Sequence, residues 1–201
     1  MVSERSRPVR QPDLEARGIR LRALQEADYQ QLYALATSAD TGFRWRFRGA
    51  TPAPDAFMRE TWEGVFAQFA VDRSSDGALL GHVTSYGANP RDSYIYIAGI
   101  SFERGTGSLV FAVAIFIEYL FMVGGFRRIY MEVPGFNFAQ IGSRIHDYFP
   151  EDVVLPDREW YDDRYWDVHL LGCPRDHWFS PDNRLRRFVV GPDDTEAGGD
   201  S

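Results

Sequence analysis

There is no lysine in this chain of 201 residues; all 22 basic side chains are arginine. Schiff-base and lysine-base chemistry are therefore excluded. A single cysteine, Cys173, rules out an internal disulfide. The four histidines, His82, His146, His169 and His177, are far apart without ligand spacing, so no metal is expected. No charged and apolar leader opens the chain, which points to the cytoplasm. The longest apolar run, Leu109 to Val123, falls short of the roughly 20 residues a bilayer needs and contains Glu118, so a buried helix is expected and no membrane partner. A net charge of −7 argues against a nucleic-acid surface and favours a cationic or amine-bearing partner.

What is present suits one well-filled core, with 44% hydrophobic and 15% aromatic residues. Residues 1–16 read as a flexible arm, 17–180 as a single domain and 181–201 as a mostly disordered acidic tail. Ile19, Leu21 and Ala23 alternate with Arg20 and Arg22 as a first strand, and Gln25 to Asp28 opens a helix. A second helix starts at Pro54 and Asp55 and runs through Trp62 and Val65. Two strands follow as a hairpin around Ser74-Ser75-Asp76-Gly77, and Asn89-Pro90-Arg91-Asp92 turns the chain into a third.

That third strand leads to the stretch that organises the sequence. Tyr94, Ile95, Tyr96 and Ile97 alternate, then Ala98, Gly99 and Ile100 run apolar, as in a strand becoming buried. The turn Glu103-Arg104-Gly105-Thr106-Gly107-Ser108 follows, and then the apolar helix. Gly105 and Gly107 permit positive φ and leave no Cβ between the amides and an anion. Ser108 offers an N-cap or first-turn hydroxyl, and the fork of Arg104 suits phosphate oxygens. The turn is thus a candidate phosphate cradle.

Together with the strand ending Tyr130-Met131-Glu132-Val133-Pro134 and with Asn137, this turn resembles the GNAT superfamily of acyl-CoA-dependent N-acetyltransferases, closest to the branch acting on ribosomal-protein N-termini. The likeness runs from about Ile19 to Trp178. It implies an α/β fold with a mixed sheet of about six to seven strands, a splayed strand pair, and about four to five flanking helices. It also implies direct transfer of an acetyl or related acyl group from acetyl-CoA to an amine-bearing small molecule or peptide N-terminus, and allows a homodimer. Arg104, Gly105, Thr106, Gly107, Ser108 and Asn137 would hold the cofactor's phosphates, and the backbone of Ile100, Ser101 and Phe102 its pantetheine arm, with an oxyanion donor near Phe102. Leu109 stands where the motif has a small residue, and is expected to crowd a pyrophosphate.

Amine attack on a thioester needs a base and an acid. Glu132, near the end of its strand, is the candidate base, and Tyr148, on a helix expected from Asn137 to Phe149, the candidate acid. In Gly42 to Gly49, aromatic residues and arginines alternate, so Phe43, Trp45 and Arg46 form either an acceptor wall or a loop pinned to the core. His169 is a further candidate at the acceptor cleft, and the segment around Asp162-Asp163 reads as a hairpin whose Asp167 matches an aspartate frequent in the ribosomal-type branch. A member of the fold that binds a ligand or protein without catalysis is the alternative.

Overall fold

Alternating strands and one long apolar helix assemble as an eight-stranded sheet with helices on both faces. The computed structural model of the protein describes residues 14–38, 42, 50–102, 107–137 and 145–190. In chain order these form β1 (Glu15–Ala16), β2 (Ile19–Arg22), α1 (Glu26–Ala36), α2 (Pro54–Glu60), β3 (Val65–Arg73), β4 (Leu79–Asn89), β5 (Tyr94–Ser101), α3 (Ser108–Gly124), β6 (Arg128–Pro134), α4 (Ile145–Tyr148), β7 (Glu151–Tyr161), β8 (Arg164–Pro174), α5 (Arg175–Trp178) and α6 (Arg184–Val189). The sheet order is β1-β2-β3-β4-β5-β6-β8-β7. Only β5 and β6 run parallel, joined by the crossover helix α3. The strand count exceeds the expected six to seven because β1 and β2 form a small hairpin around Arg17 and Gly18, both at positive φ.

Three expected boundaries move. The second helix stops at Glu60, since Gly64 at φ 67° reverses the chain and Val65 already belongs to β3. The N-terminal arm is shorter than expected: Leu14 accepts a hydrogen bond from the Leu21 N–H at 2.8 Å, and Leu14 and Ala16 pack on the core. The fold also extends past residue 180, because Asn183 caps α6 by accepting from the Arg186 N–H at 3.0 Å.

The core lies between α3 and one face of the sheet. Ile115, Phe116, Ile117, Leu120 and Phe121 of α3 are buried against Ile95, Ile97, Ile129 and Leu171. Glu118, the charge inside this apolar helix, accepts from Trp178 Nε1 at 2.6 Å and from Arg186 Nε and Nη2 at 3.0 and 3.1 Å. A smaller cluster on the other face joins α1 and α2 through Leu32, Ala36 and Phe57 to Ile100 and Phe102. Arg22 ties that layer down, reaching Asp28 of α1 and Asp72 of β3, each at 2.6 Å. Burial pushes the Asp28 carboxyl up, but the Arg22 fork and the Gln25 N–H outweigh it and hold it below the usual carboxylate range.

Two predictions follow from these buried charges. Glu118→Ala leaves the Arg186 guanidinium without its buried partner and should cost about 3–5 kcal/mol in urea unfolding. Burial lowers the His82 imidazole from 6.5 to about 4, although the Asp28 charge pulls it upward. Below pH 6.5 the unfolded chain therefore takes up a proton that the folded chain refuses, and stability falls as pH drops. The loss should reach about 3 kcal/mol near pH 4, at about 1.4 kcal/mol per pH unit. His82→Gln should flatten that part of the stability–pH curve, measured by chemical unfolding between the two pH values.

Candidate functional site

The site begins where the one parallel ladder of the sheet ends. β5 and β6 pair in register from Tyr94↔Arg128 to Ile97↔Met131 and no further. Beyond that row β5 stays on β4 as far as Gly81↔Ser101, and β6 stays on β8 as far as Pro134↔Val168. Each strand keeps its outer neighbour, so a slot opens between them.

Hydrogen-bond polarity identifies the walls of the slot. In a strand, alternate residues direct their N–H and C=O to the same neighbour. Phe102 donates to Leu80 O at 2.9 Å, so Phe102 and Ile100 face β4. Gly99 and Ser101 face the slot. Of Ile100, Ser101 and Phe102, the three residues expected to meet a pantetheine arm, only Ser101 turns its backbone to the slot, as Gly99 does, and the Phe102 N–H is spent on β4. Across the slot, the Arg175 N–H donates to Arg127 O, which assigns odd residues of β6 to β8 and turns the backbone of Glu132 and Pro134 toward the opening. Pro134 lacks an N–H and sits where no strand partner requires one.

At the mouth of the slot Gly107 is the N-cap of α3, left-handed at φ 68°, and among the described residues no side chain caps the helix. Among the described residues nothing lies within 4 Å of where a Cβ on Gly107 would stand. The first-turn amides of a helix carry the positive end of its dipole, and although the Val110 N–H donates to Gly107 O at 3.1 Å, this end suits a phosphate. Ser108 is a buried first-turn residue, not the cap. Leu109 does not crowd the opening as expected: its Cδ1 lies 3.1 Å from the Cβ position of Gly99, so its side chain packs on the sheet. Asn137 has a buried Oδ1 without a hydrogen-bond partner among the described residues, which fits a ligand-facing role. Arg104, Gly105 and Thr106, with Phe43, Trp45 and Arg46, lie outside the described residues.

The other sequence candidates separate by face. Glu132 is exposed and lies on the face of Tyr96 and Tyr130, opposite α3. It is the first β6 residue on that face past the last ladder row. Tyr148 packs on the core and is only partly exposed. The long helix expected from Asn137 to Phe149 is described only at its ends, residues 135–137 and 145–148. His169 pairs with Val133 of β6 and so shares the α3 face, where its Nδ1 lies 3.1 Å from both Asp152 oxygens. It is therefore not on the face of Glu132. Asp167 accepts from the Asp157 N–H at 3.0 Å and holds the bulge of β7, a structural use of that carboxylate. The hairpin turn is as read, with Asp162 and Asp163 at φ 52° and 55°. Burial, assisted by Glu151, pushes the Cys173 thiol up to about 12. Among the described residues no group of three His, Cys, Asp or Glu could hold a metal ion, and no helix is long and apolar enough to cross a membrane.

A row of aromatic rings was not singled out from sequence. Tyr86, Tyr96 and Tyr130 stand on three adjacent strands with centroid separations of 5.7 and 5.6 Å. Tyr94 meets Tyr96 and Tyr130 edge-on, each at 5.8 Å. All four are half-buried, and the row lies directly below the point where the slot opens. Burial first, then the charge of Glu132, raises the Tyr96 phenol above its ordinary value and keeps it protonated. The signal in the sequence was Tyr94 and Tyr96 on the polar side of a strand whose other side is Ile95 and Ile97.

Gly107→Asp tests the helix end. Asp tolerates left-handed backbone better than most residues and has room here, so the fold should survive. If the parent binds coenzyme A, the added carboxylate should abolish the thermal stabilisation expected of it, about 2.7 kcal/mol at ~100 times the dissociation constant.

No protein-family model and no curated protein matches the sequence. Solved structures do. Spermidine N-acetyltransferase from Vibrio cholerae in complex with CoA and spermine superposes with a TM-score of 0.70 at 18% identity, over 81% of this chain and 99% of that one. A chimera of that enzyme and hSSAT gives 0.69 at 17% identity, over 81% and 99%. A dodecameric form of the Vibrio cholerae enzyme gives 0.65 at 18% identity, over 80% and 96%. The splayed parallel pair, the crossover helix and these superpositions together establish that the chain has the GNAT fold.

Proposed function

We propose that this protein is an N-acyltransferase that moves an acetyl or related acyl group from acyl-CoA directly to an amine. The observation that carries the reading is the convergence of three features. The slot is walled by the backbone of Gly99 and Glu132, the N-terminus of α3 at the left-handed Gly107 lies at its mouth, and an exposed carboxylate, Glu132, stands where the strands part. A slot of this kind suits an extended amide-bearing arm, and the helix end suits a pyrophosphate. That a similar fold has been solved with CoA supports the cofactor.

Acetyl-CoA supplies an activated thioester carbonyl when bound. The residues have three tasks. Gly107 and the following amides hold the phosphates, Asn137 adds a contact through its unpartnered oxygen, and Gly99 and Ser101 direct backbone groups at the arm. Glu132 takes a proton from the bound ammonium, directly or through one water, so that the neutral amine attacks the carbonyl. Tyr148 packs on the core, so the acid for the leaving thiolate is left to the protonated amine or solvent.

A small cationic amine is the acceptor class this surface favours, in keeping with the spermine and spermidine of the similar structures. A peptide N-terminus, implied by the ribosomal-type resemblance, is the second class; it has less support because Asp167 is engaged by Asp157. Glu132→Gln should lower kcat by about 10²- to 10⁴-fold and remove the acidic limb of the pH–rate profile. Its thermal shift with coenzyme A should match the parent's. Thiol release across a panel of amines and peptides gives the measurement, and no release from any acceptor by the parent would leave only a ligand-binding protein.

A further inference from the structure

We infer that Ala98 forms a notch for the acyl chain and that the donor carries a straight acyl group longer than acetyl, with butyryl as the fit. The inference rests on the acyl-transfer reading and adds to it which thioester the slot receives. The slot is closed at one end, because Ile97 and Met131 still pair in the ladder while Ala98 and Glu132 are the first residues beyond it. An arm that enters beside α3 therefore ends at that row, and its acyl group has to leave by one face of the sheet.

One face is filled. A Cβ on Gly99 would stand 3.1 Å from Leu109 Cδ1, 3.4 Å from Val113 Cγ2 and 3.5 Å from Val83 Cγ1, so α3 is packed onto the strand there. The other face is open at this row, where Ala98 is exposed between Tyr96 and Ile100, both half-buried on the same face of β5. A methyl between two large side chains leaves a dip. Its far wall is Thr84 of β4, directly opposite Ala98. Thr84 is half-buried, yet its Oγ1 is sealed from solvent, so the side chain turns its methyl outward. The ring of Tyr96 meets that of Tyr130 at a centroid separation of 5.6 Å and closes the dip on the side of the ladder. Methyl groups, an aromatic ring and the Ile100 side chain thus line a notch that suits hydrocarbon.

From β5 to β4 is about 4.8 Å, roughly the reach of three carbons beyond a carbonyl. Glu132 stands on the other side of the opening, so the chain lies toward β4 and the amine approaches from β6. In the transfer the N–C bond forms as the C–S bond breaks, and coenzyme A leaves as the thiol with a proton from the amine. The acyl chain keeps its place throughout.

The test is calorimetric titration of the whole 201-residue chain with acetyl-CoA and butyryl-CoA, alongside thiol release from each over a panel of amines. Butyryl-CoA should bind about three- to fifteen-fold more tightly than acetyl-CoA, since each buried methylene is worth about fourfold in affinity. Ala98→Leu fills the notch from the protein side and should bring that ratio to about one or below. Equal or weaker binding of butyryl-CoA by the parent overturns the inference, and so does an undiminished ratio in Ala98→Leu. Should that variant not fold, the parent's ratio decides alone. A butyryl preference without thiol release from any amine would refute acyl transfer and leave the notch standing. Thiol release from acetyl-CoA with no butyryl preference would refute the notch and leave acyl transfer, and no heat from either thioester would overturn both.

Discussion

The end of one parallel ladder, at Ile97↔Met131, is the constraint on which the site depends. A strand pair inside a sheet ordinarily continues until one strand stops. Here both strands continue, each held by its outer neighbour, and the backbone between them is turned toward a gap. The causes are local. A Cβ on Gly81 would strike the Ile100 carbonyl, so β4 and β5 approach each other unusually closely there. Gly99 leaves the space that Leu109 and Val113 of α3 fill from one side. Pro134 on β6 could not donate across the gap even if a partner were present. Packing, a close approach and a missing donor thus favour the same opening.

The faces of the sheet then divide the work. The side carrying Ile95, Ile97 and Ile129 is dry and holds α3, whose N-terminus is thereby fixed at the mouth of the slot. On the opposite side, among the described residues, α1 and α2 pack around Ile100 and Phe102, and the same face carries the tyrosines and Glu132.

Much of this was legible in the sequence where the signal is local. The strand, Gly-rich turn and helix order located α3, and Gly107 adopts the positive φ that its lack of a side chain allows. Asp162-Asp163 read as a turn because acidic residues tolerate left-handed backbone. What needed pairing register was not legible. Whether Glu132 and His169 share a face depends on which residues stand opposite them, and a one-residue slip inverts the answer. The tyrosine row draws on β4, β5 and β6, so no single window contains it. Leu109 looked obstructive because sequence does not give the direction of a side chain at a helix start. The segment after residue 180 was taken for a tail because its many arginines hid Asn183 as a cap and Leu185 as a buried contact.

The carboxylate in the middle of α3 has a consequence for how the molecule is made. Its partners, Trp178 and Arg186, lie 60 and 68 residues later in the chain. As synthesis proceeds from the N-terminus, the central helix emerges carrying a charge that nothing yet neutralises. The nascent domain therefore bears an unfavourable group at its centre until Trp178 and Arg186 have left the ribosome, and α6 acts as a latch on the core.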